Sequence, residues 1–132
     1  MNITRTTVSL TVDDVAASSR FLAQHFGFQQ QAVDEYEHYA SLGREDVAME
    51  IIFLRRGIEV LPPSYRDQHA SGIILAFTVN DLASEERRLR EAGVKITLPL
   101  REEPWGERLF QVTDPNGIVV QLVEWATPSQ SA

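Results

Sequence analysis

The sequence predicts an α+β fold of two tandem βαβββ modules, and three observations carry that expectation. TVDDVAASSRFLAQHFGF (11–28) falls over TVNDLASEERRLREAGV (78–94) at an offset of 67, with Val12-Asp13-Asp14-Val15-Ala16 above Val79-Asn80-Asp81-Leu82-Ala83. SLGREDVAMEIIFL (41–54) falls over VTDPNGIVVQLVEW (112–125) at an offset of 71, which sets Glu50 above Gln121. In each half the apolar spacing passes from the period 2 of a strand to the wider period of a helix and back.

In TTVSLTV (6–12), Val8, Leu10 and Val12 alternate with Thr7, Ser9 and Thr11, giving one apolar and one small polar face. Asp13 or Asp14 can then cap a helix over about 15–26 whose Val15, Ser19, Leu22 and Phe26 share a side, and Gly27 suits its end. A second helix at about 82–92 turns Leu82 and Leu89 inward, with Glu85, Glu86, Arg87, Arg88 and Arg90 as a solvated face. Strands are expected at about 36–42, 47–54, 73–79, 94–98, 108–113 and 118–125. Asp114-Pro115-Asn116-Gly117 reads as a tight turn ahead of the last of them. The single domain therefore comprises modules at about 5–54 and 73–125, joined by a linker over 55–72 with Pro62, Pro63 and Gly72 as breakers, and a frayed tail follows Trp125.

Composition narrows the function classes. The chain has 132 residues, 43% of them hydrophobic and 23% charged, as expected of one globular domain with a real core. No cysteine is present, so disulfides, thiolate metal sites and thiol nucleophiles are excluded. A net charge of −7 argues against a nucleic-acid partner, whose binders present a basic stripe. No apolar run approaches transmembrane length and no signal peptide is read, so the expectation is a cytoplasmic protein with no membrane partner.

The βαβββ repeat, VDDVAASSRFLAQHFGF near the start and PWGERLFQVTDPNGIVVQLVEW at the end together resemble the vicinal oxygen chelate superfamily over residues 6–125. That superfamily includes glyoxalases, extradiol dioxygenases and bleomycin-resistance proteins, and the chain looks nearest to its metal-free, bleomycin-resistance-like branch. The resemblance implies sheets curled around a cavity with helices outside, and a homodimer whose ligand grooves are completed by both subunits. It also implies that metal-dependent members carry their ligands on the first and last strands of each module. Carried onto this chain, those positions are Thr7, Glu50, Ile74 and Gln121.

Such a set is unfavourable for a metal. Isoleucine has no lone pair to give, a threonine hydroxyl and a glutamine amide are neutral, and Glu50 is the sole anion. His25, His38 and His69 fall elsewhere, without His-Glu-x-x-His spacing. No cofactor is therefore expected, a divalent metal being the alternative.

Period 2 places Thr7, Ser9 and Thr11 on a face with Glu50, Ile74, Ala76 and Gln121 if the modules pair as in the family, a lining suited to an organic ligand. Glu50 interrupts an apolar strand, so it either pairs with a cationic ligand, serves as a general base, or is satisfied by Arg108 or a backbone amide. Trp105, among Glu102, Glu103 and Glu107, can stack on a flat cationic ligand or simply pin its loop. Arg108 can bind a ligand carboxylate or pair with Glu50 or Glu107, while Tyr36 and Tyr39 offer aromatic walls. Gln121 offers a ligand both a hydrogen-bond donor and an acceptor.

The expected function is metal-free binding of a small molecule, of bleomycin-resistance type, sequestering a drug or metabolite that is cationic or planar. The alternatives are a glyoxalase-like metal-dependent lyase or isomerase, a metal-free enzyme with Glu50 as its catalytic base, and a carrier of a pathway intermediate.

Overall fold

In the computed structural model, which describes residues 1–34 and 36–125, alternation and capping convert directly into elements. The expected frayed tail, 126–132, lies outside the described residues. The chain divides after Ser71 into two units, inside the expected linker.

The first unit runs β1 (Thr6–Val12), α1 (Val15–Phe26), β2 (Gln29–Val33), β3 (Tyr39–Gly43) and β4 (Met49–Arg55). Its sheet has the order β1-β4-β3-β2, with β1 parallel to β4 and the other pairs antiparallel. Asp14 caps α1 by accepting the Ala17 N–H at 3.0 Å, and Gly27, at φ +68°, ends it in the left-handed conformation that glycine adopts without strain. Val15, Leu22 and Phe26 of α1 are buried, as are Leu10, Val12, Ala40, Leu42, Ile51 and Phe53 on one face of the sheet. This is the core that the period-2 pattern calls for.

The second unit repeats the order: β5 (Ile74–Thr78), α2 (Leu82–Glu91), β6 (Ile96–Glu102), β7 (Glu107–Thr113) and β8 (Val119–Trp125), with sheet order β5-β8-β7-β6. Asp81 caps α2 through the Ser84 N–H at 3.1 Å, 67 residues after Asp14. Leu82 and Leu89 of the helix are buried, together with Leu75, Phe110, Val112, Val120 and Leu122 of the sheet.

The largest differences from expectation are at β2, β3 and β6. β2 falls in a stretch where no strand is predicted, because Gln29-Gln30-Gln31-Ala32-Val33 has no alternating apolar pattern and is exposed throughout. β3 starts three residues late because it is preceded by a hydrogen bond from the Glu37 N–H to the Asp34 carbonyl at 2.9 Å, with Glu37 at φ +58°. β6 runs on to Glu102 through Pro99, which its place at the sheet edge tolerates. A short 3-10 turn, Pro63–Tyr65, sits within the linker.

Candidate functional site

Every second residue of each sheet points away from the buried helix-side core, and the chemistry lies there. In the first unit that face carries Thr7, Ser9 and Thr11 from β1, Tyr39 and Ser41 from β3, and Glu50, Ile52 and Leu54 from β4. The register sets Thr7 opposite Glu50, Ser9 opposite Ile52 and Tyr39 opposite Leu54. Glu50 is the only carboxylate among them. Its side chain is 13% exposed, and it is held by a hydrogen bond from the Ser41 hydroxyl to Oε1 at 2.6 Å and by the Arg5 guanidinium 3.4 Å from Oε2. Within the unit, a serine and an arginine answer the carboxylate, two partners the sequence reading did not name.

In the second unit the corresponding face carries Ile74, Ala76 and Thr78 from β5, Leu109, Gln111 and Thr113 from β7, and Val119, Gln121 and Val123 from β8. Gln121 lies opposite Ala76 on one side and Gln111 on the other, so Ile74 is paired with Val119 and stands one step along the same face. The Gln111 amide donates to Gln121 Oε1 at 2.8 Å, and the Thr97 and Thr113 hydroxyls lie 2.9 Å apart. Around Gln121 this face is neutral and hydrogen-bonded, with Ile74 half exposed at its edge.

Two predicted residues stand apart from these groups. Arg108 alternates with Leu109 and so shares the side of Phe110 and Val112. Its guanidinium lies 3.5 Å from Glu124 and 3.9 Å from Glu102, and Glu124 in turn accepts the Leu82 N–H at the start of α2 at 2.7 Å. Within the second unit Arg108 thus belongs to a helix-anchoring network with Glu124 and Glu102, rather than pairing with Glu107. Trp105 sits in the β6–β7 turn, 64% exposed, with its indole N–H on Glu107 Oε1 at 3.0 Å. That turn, closed by Gly106 N–H on the Glu103 carbonyl with Gly106 at φ +93°, presents the ring to solvent.

Sequence reasoning missed Arg5, Ser41 and Gln111. Ser41 and Gln111 reach the site across a strand pair, and only the register of β3 on β4 and β7 on β8 brings them there. A separate cleft of about 470 Å³ beyond the end of β4, lined by His38 and residues 55–59, contains none of the predicted residues.

The four positions implied for a metal can be tested by their chemistry. Ile74 has no donor atom, Thr7 offers a neutral hydroxyl, the Gln121 carbonyl oxygen already accepts from Gln111, and Glu50 is bound at both oxygens. Among the described residues, no three His, Asp or Glu side chains are grouped as a metal site requires. The set does not fit a divalent first-row ion, which wants three or four good nitrogen or carboxylate donors. No described helix is long and apolar enough to cross a membrane.

Comparison with known proteins sets the fold in context. The chain is similar to a glyoxalase/bleomycin resistance protein/dioxygenase from Nocardioides, with TM-score 0.76 at 16% identity over 100% of this chain and 89% of that one. It is similar to lactoylglutathione lyase from Agrobacterium tumefaciens, with TM-score 0.73 at 15% identity over 93% and 94%. TnmS3, an antibiotic binding protein from Streptomyces sp. CB03234, gives TM-score 0.71 at 22% identity over 95% and 98%. No curated protein matches the sequence. A lyase and a binding protein resemble the chain about equally, so these likenesses establish the fold alone. The family model of the Glyoxalase/Bleomycin resistance protein/Dioxygenase superfamily matches residues 4–122, and the chain belongs to that superfamily.

Proposed function

We propose that the protein binds a small organic molecule without a metal, in the manner of the bleomycin-resistance branch, and sequesters it unaltered. The observation that carries this reading is the chemistry of the metal-ligand positions: Ile74 has no donor atom, Thr7 offers a neutral hydroxyl, the Gln121 carbonyl oxygen already accepts from Gln111, and Glu50 alone is anionic. What remains are two amphipathic faces of small, apolar and hydrogen-bonding side chains, a composition that holds organic ligands. The exposed Trp105 among Glu102, Glu103 and Glu107 favours a flat or cationic ligand. Similarity to an antibiotic binding protein supports the same reading. A cytoplasmic homodimer is the assembly we propose for it.

The test pairs metal content with ligand binding. Purified protein incubated with nickel, zinc, manganese or ferrous iron is expected to hold no stoichiometric metal by plasma mass spectrometry. A panel of planar cationic antibiotics is expected to quench tryptophan fluorescence saturably, and less so in Trp105→Phe, with the ligand recovered unchanged. One metal per chain with activity lost to chelator would replace this reading with a lyase or isomerase. Turnover that Glu50→Gln abolishes while binding survives would make Glu50 a general base.

A further inference from the structure

We propose that Arg5 is a built-in, displaceable counter-ion of Glu50, and that the ligand replacing it carries a cationic head group, an amidinium, guanidinium or ammonium. This rests on the reading of the first unit's sheet face as a binding surface, and it names the class of ligand that the face takes.

The two partners are unequally placed. Glu50 is fixed on the central strand β4 with a side chain only 13% exposed, whereas the Arg5 side chain is 70% exposed. Arg5 immediately precedes β1, in a stretch where residues 1–7 are all exposed. A carboxylate removed from water to that degree needs a countercharge. Ser41 supplies a short, well-made hydrogen bond to one oxygen at 2.6 Å, but a neutral one. Among the described residues, the second oxygen has only the Arg5 nitrogen at 3.4 Å, well beyond the usual length of a charge-assisted hydrogen bond, about 2.7–2.9 Å. The long contact and the exposed partner are those of a weak ion pair. The demand for positive charge at Glu50 is therefore built into the sheet, while its present supplier is loosely held.

The surroundings define what would displace it. Tyr39, Ile52 and Leu54 share the face with Glu50 and offer an apolar and aromatic bed, and Thr7 and Ser9 flank it with exposed hydroxyls. A planar cation can lie on that bed with its charged end at the second oxygen of Glu50, releasing the Arg5 guanidinium to water.

Benzamidinium and its neutral counterpart benzamide are the probes, titrated into wild type, Arg5→Gln, Arg5→Lys and Glu50→Gln by calorimetry, with the arginine Nε–H signals followed by NMR. Wild type is expected to prefer benzamidinium, and removing the competitor in Arg5→Gln should tighten benzamidinium by roughly two- to fivefold, the size expected for a weak ion pair. Benzamide should be indifferent to that change, and Arg5→Lys should behave as wild type. Glu50→Gln should lose the preference for the cation. On binding, the Arg5 Nε–H signal should move to the position it holds in Glu50→Gln. The proposal is overturned if Arg5→Gln binds benzamidinium no better than wild type, if benzamide binds as well, or if benzamidinium does not bind. Each of those results leaves sequestration standing wherever a ligand of the antibiotic panel is bound and recovered unchanged; metal uptake or turnover is what would remove that reading.

Discussion

The two units share an element order and differ in what their sheets turn outward. On the helix side the correspondence is close: Asp14 and Asp81 cap equivalent helices, and buried aliphatic and phenylalanine side chains fill both cores. On the other side the first unit presents a half-buried carboxylate answered by a serine and an arginine, while the second presents a neutral glutamine pair beside a threonine pair. Positions facing the helix define the fold, and those facing away set the chemistry. With period 2 along each strand, the second set can differ between units without disturbing the first.

The largest break in the correspondence is expected at the turns between the last two strands of each unit. In the second unit Asp114, 6% exposed, accepts the N–H groups of Asn116 and Ile118, each at 2.8 Å, inside a turn closed by the Gly117 N–H on its own carbonyl at 3.0 Å. In the first unit the matching turn is clasped on the surface, where Arg44 grips Asp46 at 2.7 and 2.9 Å and also donates to the Phe26 carbonyl at the end of α1. Asp114→Ala strands a buried backbone donor and should cost about 1–3 kcal/mol in a urea denaturation. Asp46→Ala, which strands nothing buried, should leave the midpoint nearly unmoved. Equal losses would mean that the two turns are held by the same physics after all.

The helix caps give a smaller contrast. Asp14→Ala should destabilise by about 1 kcal/mol, the usual worth of such a cap. Asp81→Ala should cost less, because Glu124 also accepts the Leu82 N–H at 2.7 Å and keeps one donor at the start of α2 satisfied. Combining Asp81→Ala with Glu124→Gln should restore the full loss, since a neutral amide is a poorer acceptor and Arg108 loses its nearer partner. Thermal melts of the three variants check the order.

How much of this was legible in the sequence follows from what each feature depends on. The first strand and first helix fall on the predicted residues 6–12 and 15–26, because alternation and a capping aspartate are local signals. The second-unit strands follow in order for the same reason. β2 was not legible, since a solvated edge strand needs no apolar pattern and its three glutamines carry no strong preference. At the site, the offsets between repeats align Thr7 with Ile74 and Glu50 with Gln121 from one unit to the other, but the register within each unit, which sets Thr7 opposite Glu50 and Ala76 opposite Gln121, is not a local signal. The partners of Glu50 and Gln121 were the least legible, because Ser41, Arg5 and Gln111 reach them only through strand register and side-chain reach. The ion-pair partners of Arg108, Glu102 and Glu124, were not read from the sequence, although strand alternation already turns Arg108 toward the side of Phe110.

The finest contrast is one of pH, and it isolates the surface clasp of the first unit. The Arg44 guanidinium, bound to both carboxylate oxygens, holds Asp46 below its ordinary value of 3.8. A carboxyl whose folded value lies below its unfolded one adds stability at pH above the unfolded value, and that contribution is lost as pH falls through the folded one. Wild type should therefore melt slightly above Asp46→Asn at about pH 7 and keep that margin to about pH 5, where the unfolded chain is still ionised. The margin should close as the pH drops below 3.8 and vanish once the folded carboxyl is protonated too. The exposure of the pair keeps the effect small, and high salt should shrink it at neutral pH. A margin that persists at about pH 2 would have to come from packing of the side chain rather than from its charge. A margin absent at neutral pH would show that the Arg44 grip on the Phe26 carbonyl, not its ion pair, fastens this turn to the end of α1.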